Sequence, residues 1–597
     1  MTNQSSGADL DIAPPDSGGA IRVLVLSRTG HAKDRGEAIA LAVSRSWPGS
    51  EVRHACRAQR VGRRLPDVGA GRRWLVGQID QFDPDLVLPV DAASAAGLRW
   101  LREHRGLDVP FAEPDRAGLL AAAEPDATRA SVRRLLDERR PAAAGSARSW
   151  PMRAADVFFA HVETEDVPQV LGVVLELAPT AAGDVPTLRQ VREQMASRPI
   201  GLAPLRRRFA VGGRPGWVQE RHFDVDVSRH IDERRLGPDE GASAVSAAID
   251  EFWSQPLPAG LPTWQMRLIH SGTDGRSWFV IKMHHCQGDG ISELGLLDRL
   301  LTVDPDRPLV ERQPVPGRPT TVRRRARELR LAARGLVSLA GRGRAPKTPL
   351  NGPVSGPGRQ LVMVALPARE LRRLGRRCQA KGHELVLTLV VDALGRLLRT
   401  ESTARTSTGE PQSLRVMLPI AMRPARMDRI FGNWTGSVSL DLPLGPMPIR
   451  ERLALVQQEV HRRVGAGEPQ AAHAVMQLAG SLPLSLHKLF ARLVYNDRFF
   501  NTIVSYMPGA RGPRWLAGAR VRAMYPVLPL AEGVRLTVGV VIADETASIG
   551  VLLDPALGLT DSAVTQALRS AFDELGEQSE PAEASGRSPT TAAEGSV

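Results

Sequence analysis

The chain has 597 residues, which exceeds one ordinary domain and predicts about three to five domains. Hydrophobic residues make up 42% and charged residues 24%, proportions typical of a soluble protein with sizeable cores. Lys and Arg number 78 against 65 Asp and Glu, and the formal charge of +13 favours anionic partners such as a phospholipid surface or the phosphates of a CoA. Nucleic acid is not expected as a partner, because no nucleic-acid motif occurs and the basic residues are not interleaved with aromatic ones.

Cysteine usage and hydropathy indicate the compartment. Cys56, Cys286 and Cys378 are widely spaced and odd in number, so no disulfide framework is predicted. The first eighteen residues are polar and acidic, unlike a signal peptide, and no apolar run reaches the length of a membrane span. We therefore expect a cytoplasmic protein that lies on a membrane surface without crossing it.

The N-terminal quarter of the chain predicts a small domain of its own. Residues 1–20 are expected to be disordered. Between 21 and 135, strand patterns at 21–26 and 85–90 alternate with alanine-rich helical stretches, which predicts a parallel α/β domain. Residues 136–150 are rich in Pro, Ala, Gly and Ser and predict a linker.

This N-terminal domain resembles the first domain of ATP-grasp enzymes at residues 83–89, 109–111 and 126–128. Those enzymes usually carry a nucleotide-contacting lysine just after the aspartate, whereas this chain has Ala127 after Asp126. No grasp domain follows in the sequence. We therefore interpret the unit as a docking domain or a remnant rather than as a nucleotide site.

A histidine pair stands at the centre of the chain, where residues 283–290 read Met-His-His-Cys-Gln-Gly-Asp-Gly. The apolar stretch before it predicts a buried strand, and leucines at helical spacing after it predict a helix that begins near Asp289 or Ser292. A histidine on such a turn suits a general base, because its unperturbed pKa lies near neutrality.

The pair has other interpretations. Two adjacent histidines can be satisfied core residues, and a metal site lacks a third ligand at a familiar spacing. Cys286 can be read as a nucleophile or as a small buried spacer.

The spacing His-His-x-x-x-Asp-Gly resembles the active-site motif of the CoA-dependent acyltransferase superfamily. From about residue 150 to 575 the chain also resembles the wax ester synthase/diacylglycerol acyltransferase family. The matching blocks occur in the family's order at residues 155–159, 205–208, 216–218, 256–257, 262–264, 417–423, 431–433, 501–509 and 525–530.

The resemblance implies an α/β fold with two lobes of the condensation-domain kind, added to the N-terminal domain. On this basis the first lobe spans 151–302, a basic linker 303–358 and the second lobe 359–577. The tail, 578–597, is rich in Glu, Ser and Pro and is expected to be disordered.

The resemblance also implies roles for site residues. His285 would be the general base, and His284 would orient the loop. Asp289, followed by Gly290, would hold the loop by pairing with an arginine, for which Arg423 is a candidate. Ser505 and Asn433 are candidate donors to an oxyanion, although the Ser505 block can equally be a Pro-Gly turn that ends a strand.

Two features of the sequence depart from a plain family member. Residues 322–340 have apolar residues at three- and four-residue intervals among six arginines, which predicts a basic amphipathic helix. That helix would either lie in a membrane interface or bridge the lobes with its alanine-rich face packed on protein. In addition, His383-Glu384 and Tyr506-Met507 stand where the family has Asn-Asp and Asn-Val.

The function implied by the resemblance is transfer of a long-chain acyl group from acyl-CoA to an alcohol, without an acyl-enzyme. Diacylglycerol would give triacylglycerol, and a fatty alcohol would give a wax ester. No cofactor is expected besides acyl-CoA as co-substrate, and the enzyme would associate with the inner membrane face or lipid droplets. Alternatives are an acyltransferase with a different acceptor or a carrier-protein thioester, and a non-catalytic lipid-binding scaffold.

Overall fold

The computed structural model describes residues 22–27, 33–46, 51–56, 86–90, 94–96, 98, 148–197, 203–210, 215–219, 226–271, 275–301, 322–404, 413–422, 432–509 and 512–579. The chain divides into two compact units. The first unit consists of Met1–Trp150, Gly201–Arg206 and Val218–Val225, and the second of Pro151–Ile200, Arg207–Trp217 and Asp226–Val597. The predictions for residues 1–20, for the linker at 136–147, for Arg423 and for the tail from 580 fall outside the described residues.

The N-terminal unit contains a parallel sheet. Its elements are β1 (Arg22–Ser27), α1 (Lys33–Ser46), β2 (Glu51–Cys56) and β3 (Leu86–Pro89). Strand β1 lies in the middle, and both neighbours pair with it in parallel. The sequence predicts β1 and β3 but misses β2, because arginine and histidine interrupt its apolar pattern. The positions that resemble ATP-grasp enzymes after β3 lie outside the described residues.

The elements between residues 148 and 301 are a mixture of strands and helices. In chain order they are β4 (Arg148–Pro151), α2 (Ala154–Val162), β5 (Val170–Leu177), α3 (Leu188–Ser197), α4 (Ala203–Arg206), β6 (Arg208–Phe209), β7 (Gly216–Gln219), β8 (Ile231–Arg235), α5 (Ala242–Ser254), β9 (Trp264–His270), β10 (Ser277–His284) and α6 (Gly290–Leu300).

The second half of the chain begins with the helix predicted in the basic linker. Its elements are α7 (Val322–Ala340), β11 (Gln360–Pro367), α8 (Ala368–Arg377), α9 (Gly382–Ala404), β12 (Ser413–Ala421), β13 (Thr435–Pro443), α10 (Ile449–Ala466), α11 (Glu468–Ala479), α12 (Leu484–Val494), β14 (Thr502–Pro508), β15 (Trp515–Leu516), β16 (Ala519–Val527), β17 (Leu536–Ala543), β18 (Thr546–Leu553) and α13 (Asp561–Glu577).

The first lobe is built on a six-stranded sheet in the order β15-β16-β5-β10-β9-β8. Strand β10 pairs antiparallel with β5 and β9, and all eight of its residues are buried. Strands β15 and β16 belong to the second half of the sequence yet pair within this sheet. Strand β16 is antiparallel to β5. The first lobe is therefore completed by a segment that the sequence assigns to the second lobe.

A buried lysine fixes β10 to its supporting helix. The Nζ of Lys282 donates to the carbonyl oxygens of Phe252 at 2.7 Å and Gln255 at 2.8 Å, at the end of α5. It also lies 4.2 Å from the centroid of the Phe252 ring. Burial lowers the pKa of Lys282 to about 7, with the charge of Arg267 acting in the same direction and that of Asp232 opposing it. The strand is thus anchored two residues before it ends.

The second lobe is built on a six-stranded sheet in the order β11-β18-β17-β14-β12-β13. Helix α9 packs on it with Leu385, Leu387 and Val391 almost fully buried, which confirms the apolar helix predicted at 385–398. The apolar residues of α9 belong to one large core with the sheet and with α13. Of the helices in the described part of the chain, none is long and apolar enough to cross a bilayer.

Helix α7 packs on protein through its small residues. Ala332 and Gly335 are buried, and Gly335 lies against Gly467 and Ala471 at the start of α11. The hydroxyl of Ser338 donates to the Glu468 carboxylate at 2.7 Å. Of the two roles that the sequence left open for this helix, the structure supports packing on protein. Its small face is not available to insert into a lipid surface.

The contact at Gly335 predicts a steric cost for any side chain there. A Cβ at Gly335 would overlap the carbonyl oxygen of Gly467, which is backbone and cannot easily move. We expect Gly335→Ala to lower the free energy of unfolding by about 1–3 kcal/mol. Gly295→Ala is the matched control, because Gly295 also lies inside a helix but has open space around it. The control should be neutral or stabilising by about 0.5–1 kcal/mol. Urea unfolding of both variants tests this, and equal midpoints would contradict the packing.

Candidate active site

The histidine motif forms a tight turn between a strand and a helix. Strand β10 ends at His284, residues His285–Gln287 form one turn of 3-10 helix, and α6 begins at Gly290. Gly288 has no room for a side chain, since a Cβ there would lie 2.5 Å from the Cβ of Ser292 and 3.2 Å from the backbone nitrogen of Gly432. The turn is therefore packed directly against the segment that precedes β13 in the second lobe.

The ring of His285 is held on a phenylalanine. It stacks on Phe159 of α2 with ring centroids 3.6 Å apart and planes 7° from parallel. The backbone N–H of His285 donates to the carbonyl of Gln169 at 2.8 Å. The Nδ1 atom of the ring is buried, which leaves Nε2 as the candidate for contact with a substrate.

Burial of the His285 ring lowers its pKa to about 4, although the carboxylate of Asp289 acts in the opposite direction. The imidazole is therefore neutral at neutral pH, which is the form that can accept a proton.

His284 is oriented by two hydrogen bonds. Its Nδ1 accepts from the backbone N–H of Cys286 at 3.1 Å, which places the ring proton on Nε2. Nε2 then donates to the carboxylate of Glu163 at 3.1 Å. The other oxygen of Glu163 accepts from the N–H of Gln169 at 3.2 Å. Because Gln169 in turn receives the N–H of His285, Glu163 connects the two histidines through one backbone segment.

Glu163 is ionised in this arrangement. Burial would raise the pKa of its carboxyl, but the hydrogen bonds from His284 and from the backbone N–H of Gln169 leave the pKa below its ordinary value. Both ring nitrogens of His284 are committed to the protein. The predicted role of His284, orienting the loop, agrees with this geometry.

Asp289 joins the two lobes. One carboxylate oxygen caps α6, accepting from the backbone N–H of Ser292 at 3.0 Å and from its hydroxyl at 3.2 Å. The other oxygen accepts from the backbone N–H of Trp434 at 3.0 Å and from the Thr435 hydroxyl at 3.1 Å. The predicted structural role of Asp289 is thus visible in four hydrogen bonds. The proposed arginine partner, Arg423, lies outside the described residues.

Asn433 connects the histidine turn to helix α2. Its Nδ2 donates to the carbonyl of His285 at 2.9 Å and to the carboxylate of Asp156 at 2.9 Å, so both amide hydrogens are used. The backbone N–H of Asn433 also donates to Asp156 at 3.0 Å, and burial raises the pKa of that carboxyl. This corrects the prediction that Asn433 donates to an oxyanion, because its amide has no hydrogen left to give.

Ser505 lies on the strand face that looks toward the motif. In β14, side chains alternate between faces, so Ser505 shares a face with Ile503 and Met507. Ile503 packs in the cluster that contains Phe158 of α2. The sulfur of Met507 lies so close to Gly290 that a Cβ there would overlap it. Ser505 is nearly buried between these two contacts, and its role as an oxyanion donor stays a prediction.

Cys286 is a buried spacer. The side chain is 1% exposed, and burial raises the pKa of its thiol well above the ordinary value. A thiolate nucleophile at this position is therefore disfavoured. Among the described residues, no group of three or more His, Cys, Asp and Glu side chains is arranged to hold a metal ion.

Sequence reasoning missed four residues that shape the site: Asp156, Phe159, Glu163 and Gln169. All lie on α2 or just after it, more than 110 residues before the histidines they support. Asp156 and Phe159 do fall within the first block that resembles the family, and this was the signal that could have singled them out. Glu163 and Gln169 carry no local pattern.

Two lobes on six-stranded sheets, with a histidine turn of one lobe closed by the other, define the fold of the CoA-dependent acyltransferases. Within this class, the chain belongs to the wax ester synthase/diacylglycerol acyltransferase family. Residues 152–392 match the model of the family's catalytic domain, and residues 431–576 match that of its C-terminal domain. The resemblance seen in the sequence is confirmed, and residues 1–151 lie outside the matched ranges.

Relatives with assigned names agree with this membership. The chain is 27% identical to a putative diacylglycerol O-acyltransferase of Mycobacterium bovis over 430 residues, which are 66% of this chain and 84% of the relative. It is 24% identical over 425 residues to a probable diacylglycerol O-acyltransferase of Mycobacterium tuberculosis, covering 66% and 89%. The wax ester synthase/diacylglycerol acyltransferase from Marinobacter aquaeolei VT8 has the same fold, with a TM-score of 0.53 at 18% identity, covering 72% of this chain and 99% of that one.

The four hydrogen bonds of Asp289 predict a measurable loss of stability when the carboxylate is replaced by an amide of the same shape. In Asp289→Asn, an amide N–H₂ would face the buried N–H of Trp434, so we expect the free energy of unfolding to fall by about 1–3 kcal/mol. Asp298→Asn is the control, since Asp298 lies on the same helix but its side chain is 53% exposed, with its carboxylate in an ion pair with Arg514. The control should change stability by less than about 1 kcal/mol. Indistinguishable urea midpoints for the two variants would refute the structural role of Asp289.

Proposed function

We propose that the protein transfers a long-chain acyl group from acyl-CoA to the hydroxyl of a lipid alcohol, either diacylglycerol or a fatty alcohol. The observation that carries this proposal is the neutral, oriented imidazole of His285. Its ring is stacked on Phe159, and its backbone is held by Gln169 and Asn433. A base in this state suits proton removal from an alcohol. Family membership and the names of the relatives support the acyl-CoA donor and the lipid acceptor.

In the proposed reaction, Nε2 of His285 removes the proton of the acceptor hydroxyl as its oxygen attacks the thioester carbonyl carbon. A tetrahedral intermediate forms, and its C–S bond then breaks. The imidazolium returns the proton to the departing sulfur, so that the products are an ester and free CoA thiol. No bond between enzyme and acyl group is needed, so much of the rate gain must arise from holding the two substrates together.

The oxyanion of the intermediate needs a hydrogen-bond donor. With both amide hydrogens of Asn433 committed, Ser505 is the remaining donor among the two that the sequence indicated. Its position between Ile503 and Met507, on the face toward the histidine turn, supports this role. Asn433 and Asp289 contribute by keeping the turn in place.

The acceptor of this reaction is apolar, which requires contact with a lipid phase. We propose that the enzyme works at an anionic membrane or lipid-droplet surface. The formal charge of +13 supports this location, as do the exposed arginines Arg330 and Arg334 of α7. The small face of α7 packs on protein, so that face does not enter the lipid.

The assignment of the base predicts a large kinetic effect of one substitution. His285→Ala should lower kcat for acyl transfer by roughly 10²–10⁴-fold, because proton removal from the acceptor is lost. The measurement is thiol release from palmitoyl-CoA with a long-chain alcohol or diacylglycerol. His461→Ala is the matched control, because His461 is an exposed surface histidine. Unchanged melting of both variants excludes unfolding as the cause, and near-normal transfer by His285→Ala would remove this residue from the mechanism.

The lowered pKa of His285 also predicts the pH dependence. A base with a pKa of about 4 is neutral above that pH, so kcat/KM should stay level from pH 8 down to about 5 and fall only as the ring is protonated. An ordinary imidazole would lose activity near pH 6.5 instead. Stopped-time assays of thiol release across this range decide between the two, provided that the protein remains folded. An acid limb centred near pH 6.5 would contradict burial as the controlling factor.

A further inference from the structure

The most exposed apolar surface in the described part of the chain lies on α12 and its flanks. Seven of the eleven exposed large apolar side chains fall between residues 478 and 499. They are Leu478, Leu482, Leu484, Leu486, Leu489, Leu493 and Phe499, which are 41–68% exposed. We call this set the leucine surface. Leaving so many leucines in water is costly for a soluble protein, which indicates that something covers them.

The outer face of α12 is amphipathic in the manner of an interfacial helix. Leu486, Leu489 and Leu493 recur at intervals of three and four residues and therefore form one stripe. Lys488 and Arg492 lie four residues apart and form a neighbouring exposed stripe. Between residues 478 and 499 the charged residues are three basic ones and a single carboxylate, Asp497. An apolar stripe flanked by cations matches the acyl chains and anionic headgroups of a phospholipid surface.

The inner face of α12 connects this surface to the catalytic histidine. Ala491 and the following Tyr495 pack with Phe158 of α2, and the guanidinium of Arg492 donates to the carbonyl of His161 at 3.0 Å. One position along α2, Phe159 carries the ring of His285. The leucine surface and the base are therefore separated by a single helix, α2, and by the thickness of α12.

We infer that the leucine surface is the membrane-docking face of the enzyme, and that its occupant is an anionic phospholipid bilayer. The role that we assign to docking, which is to bring apolar substrates to His285, rests on the proposed function. Docking through α12 differs from the sequence-based expectation that the basic helix α7 lies in the interface. The leucines of α12 enter the lipid, while Lys488 and Arg492 contact headgroups.

The test uses the full-length protein and vesicles of phosphatidylcholine, with and without phosphatidylglycerol. Vesicle sedimentation measures the bound fraction of wild type and of the double variant Leu486→Asn/Leu489→Asn. The matched control is Leu41→Asn/Val464→Asn, whose side chains are similarly exposed, at 51% and 39%, but lie outside the leucine surface. The single variant Lys488→Gln separates the electrostatic contribution. Because the exchanged side chains are exposed, thermal melting should be unchanged in all variants.

We expect the partition coefficient of the leucine double variant for anionic vesicles to fall by at least about tenfold, because burial of two leucines is lost. The control should bind like wild type, and Lys488→Gln should weaken binding to anionic vesicles only. Equal partitioning of the two double variants would overturn the proposal. So would a wild-type dimer that dissociates in the leucine double variant while vesicle binding is unchanged, because the occupant would then be a second copy.

Activity distinguishes this inference from the proposed function. Transfer from a short, soluble acyl-CoA to a short, soluble alcohol should be the same in the leucine double variant and wild type. Transfer with vesicle-borne diacylglycerol should fall in the leucine double variant alone. If wild type binds vesicles through the leucines but releases no thiol from any acyl-CoA, the docking surface stands and the proposed reaction fails.

Discussion

The site depends on hydrogen bonds that the second lobe makes to the histidine turn of the first. Residues 432–435 supply Asn433 to the carbonyl of His285, together with a backbone N–H and a hydroxyl to Asp289. The carbonyl of Gly432 lies 3.0 Å from the hydroxyl oxygen of Ser292, whose single hydrogen is shared between this carbonyl and Asp289. A base positioned in this way needs both lobes in register, since neither lobe alone satisfies the polar groups of the turn.

Most of the polar groups around the turn hold it in position, whereas the ring of His285 is the group proposed to react. Hydrogen bonds to other protein groups occupy His284, Glu163 and Asp289. The ring of His285 stacks on Phe159, and its burial favours the neutral form. Such pre-organisation avoids reordering of the site when substrates bind, at the cost of holding a histidine in surroundings where its charged form is unfavourable.

The sequence could predict features that depend on neighbouring residues, but not contacts between residues far apart in the chain. The strand, turn and helix of the motif follow from local patterns and were predicted, with Asp289 as one of two candidate caps. The support from Glu163 was not, because 121 residues separate it from His284. The role of α7 was ambiguous, because a face rich in alanine between arginines suits a lipid interface or a protein neighbour equally well. Strand β16 could not be placed, because nothing in a buried strand's own residues tells which sheet it joins.

Two departures from the family's residues are neighbours in space. Glu384 receives the backbone N–H of Lys381 at 2.8 Å and thus closes the first turn of α9. The adjacent ring of His383 lies 6.2 Å from that of Tyr506, measured between centroids, and the Tyr506 ring packs against Gly382. The changes at His383, Glu384 and Tyr506 therefore concern the contact between α9 and β14, whereas Met507 contacts Gly290 of the motif. The changes leave Ser505, on the opposite face of the strand from Tyr506, toward the site.

The crossing of β16 makes the two lobes topologically inseparable. It continues the first sheet beside β5, while its Pro526 presses on Gly539 and Gly550 of the second sheet, where any larger residue would collide. Separation of the two lobes would therefore remove β16 from the first sheet or break its contacts with the second sheet. An engineer who cut the chain between the lobes would leave β5 with an open edge, which invites association with other chains.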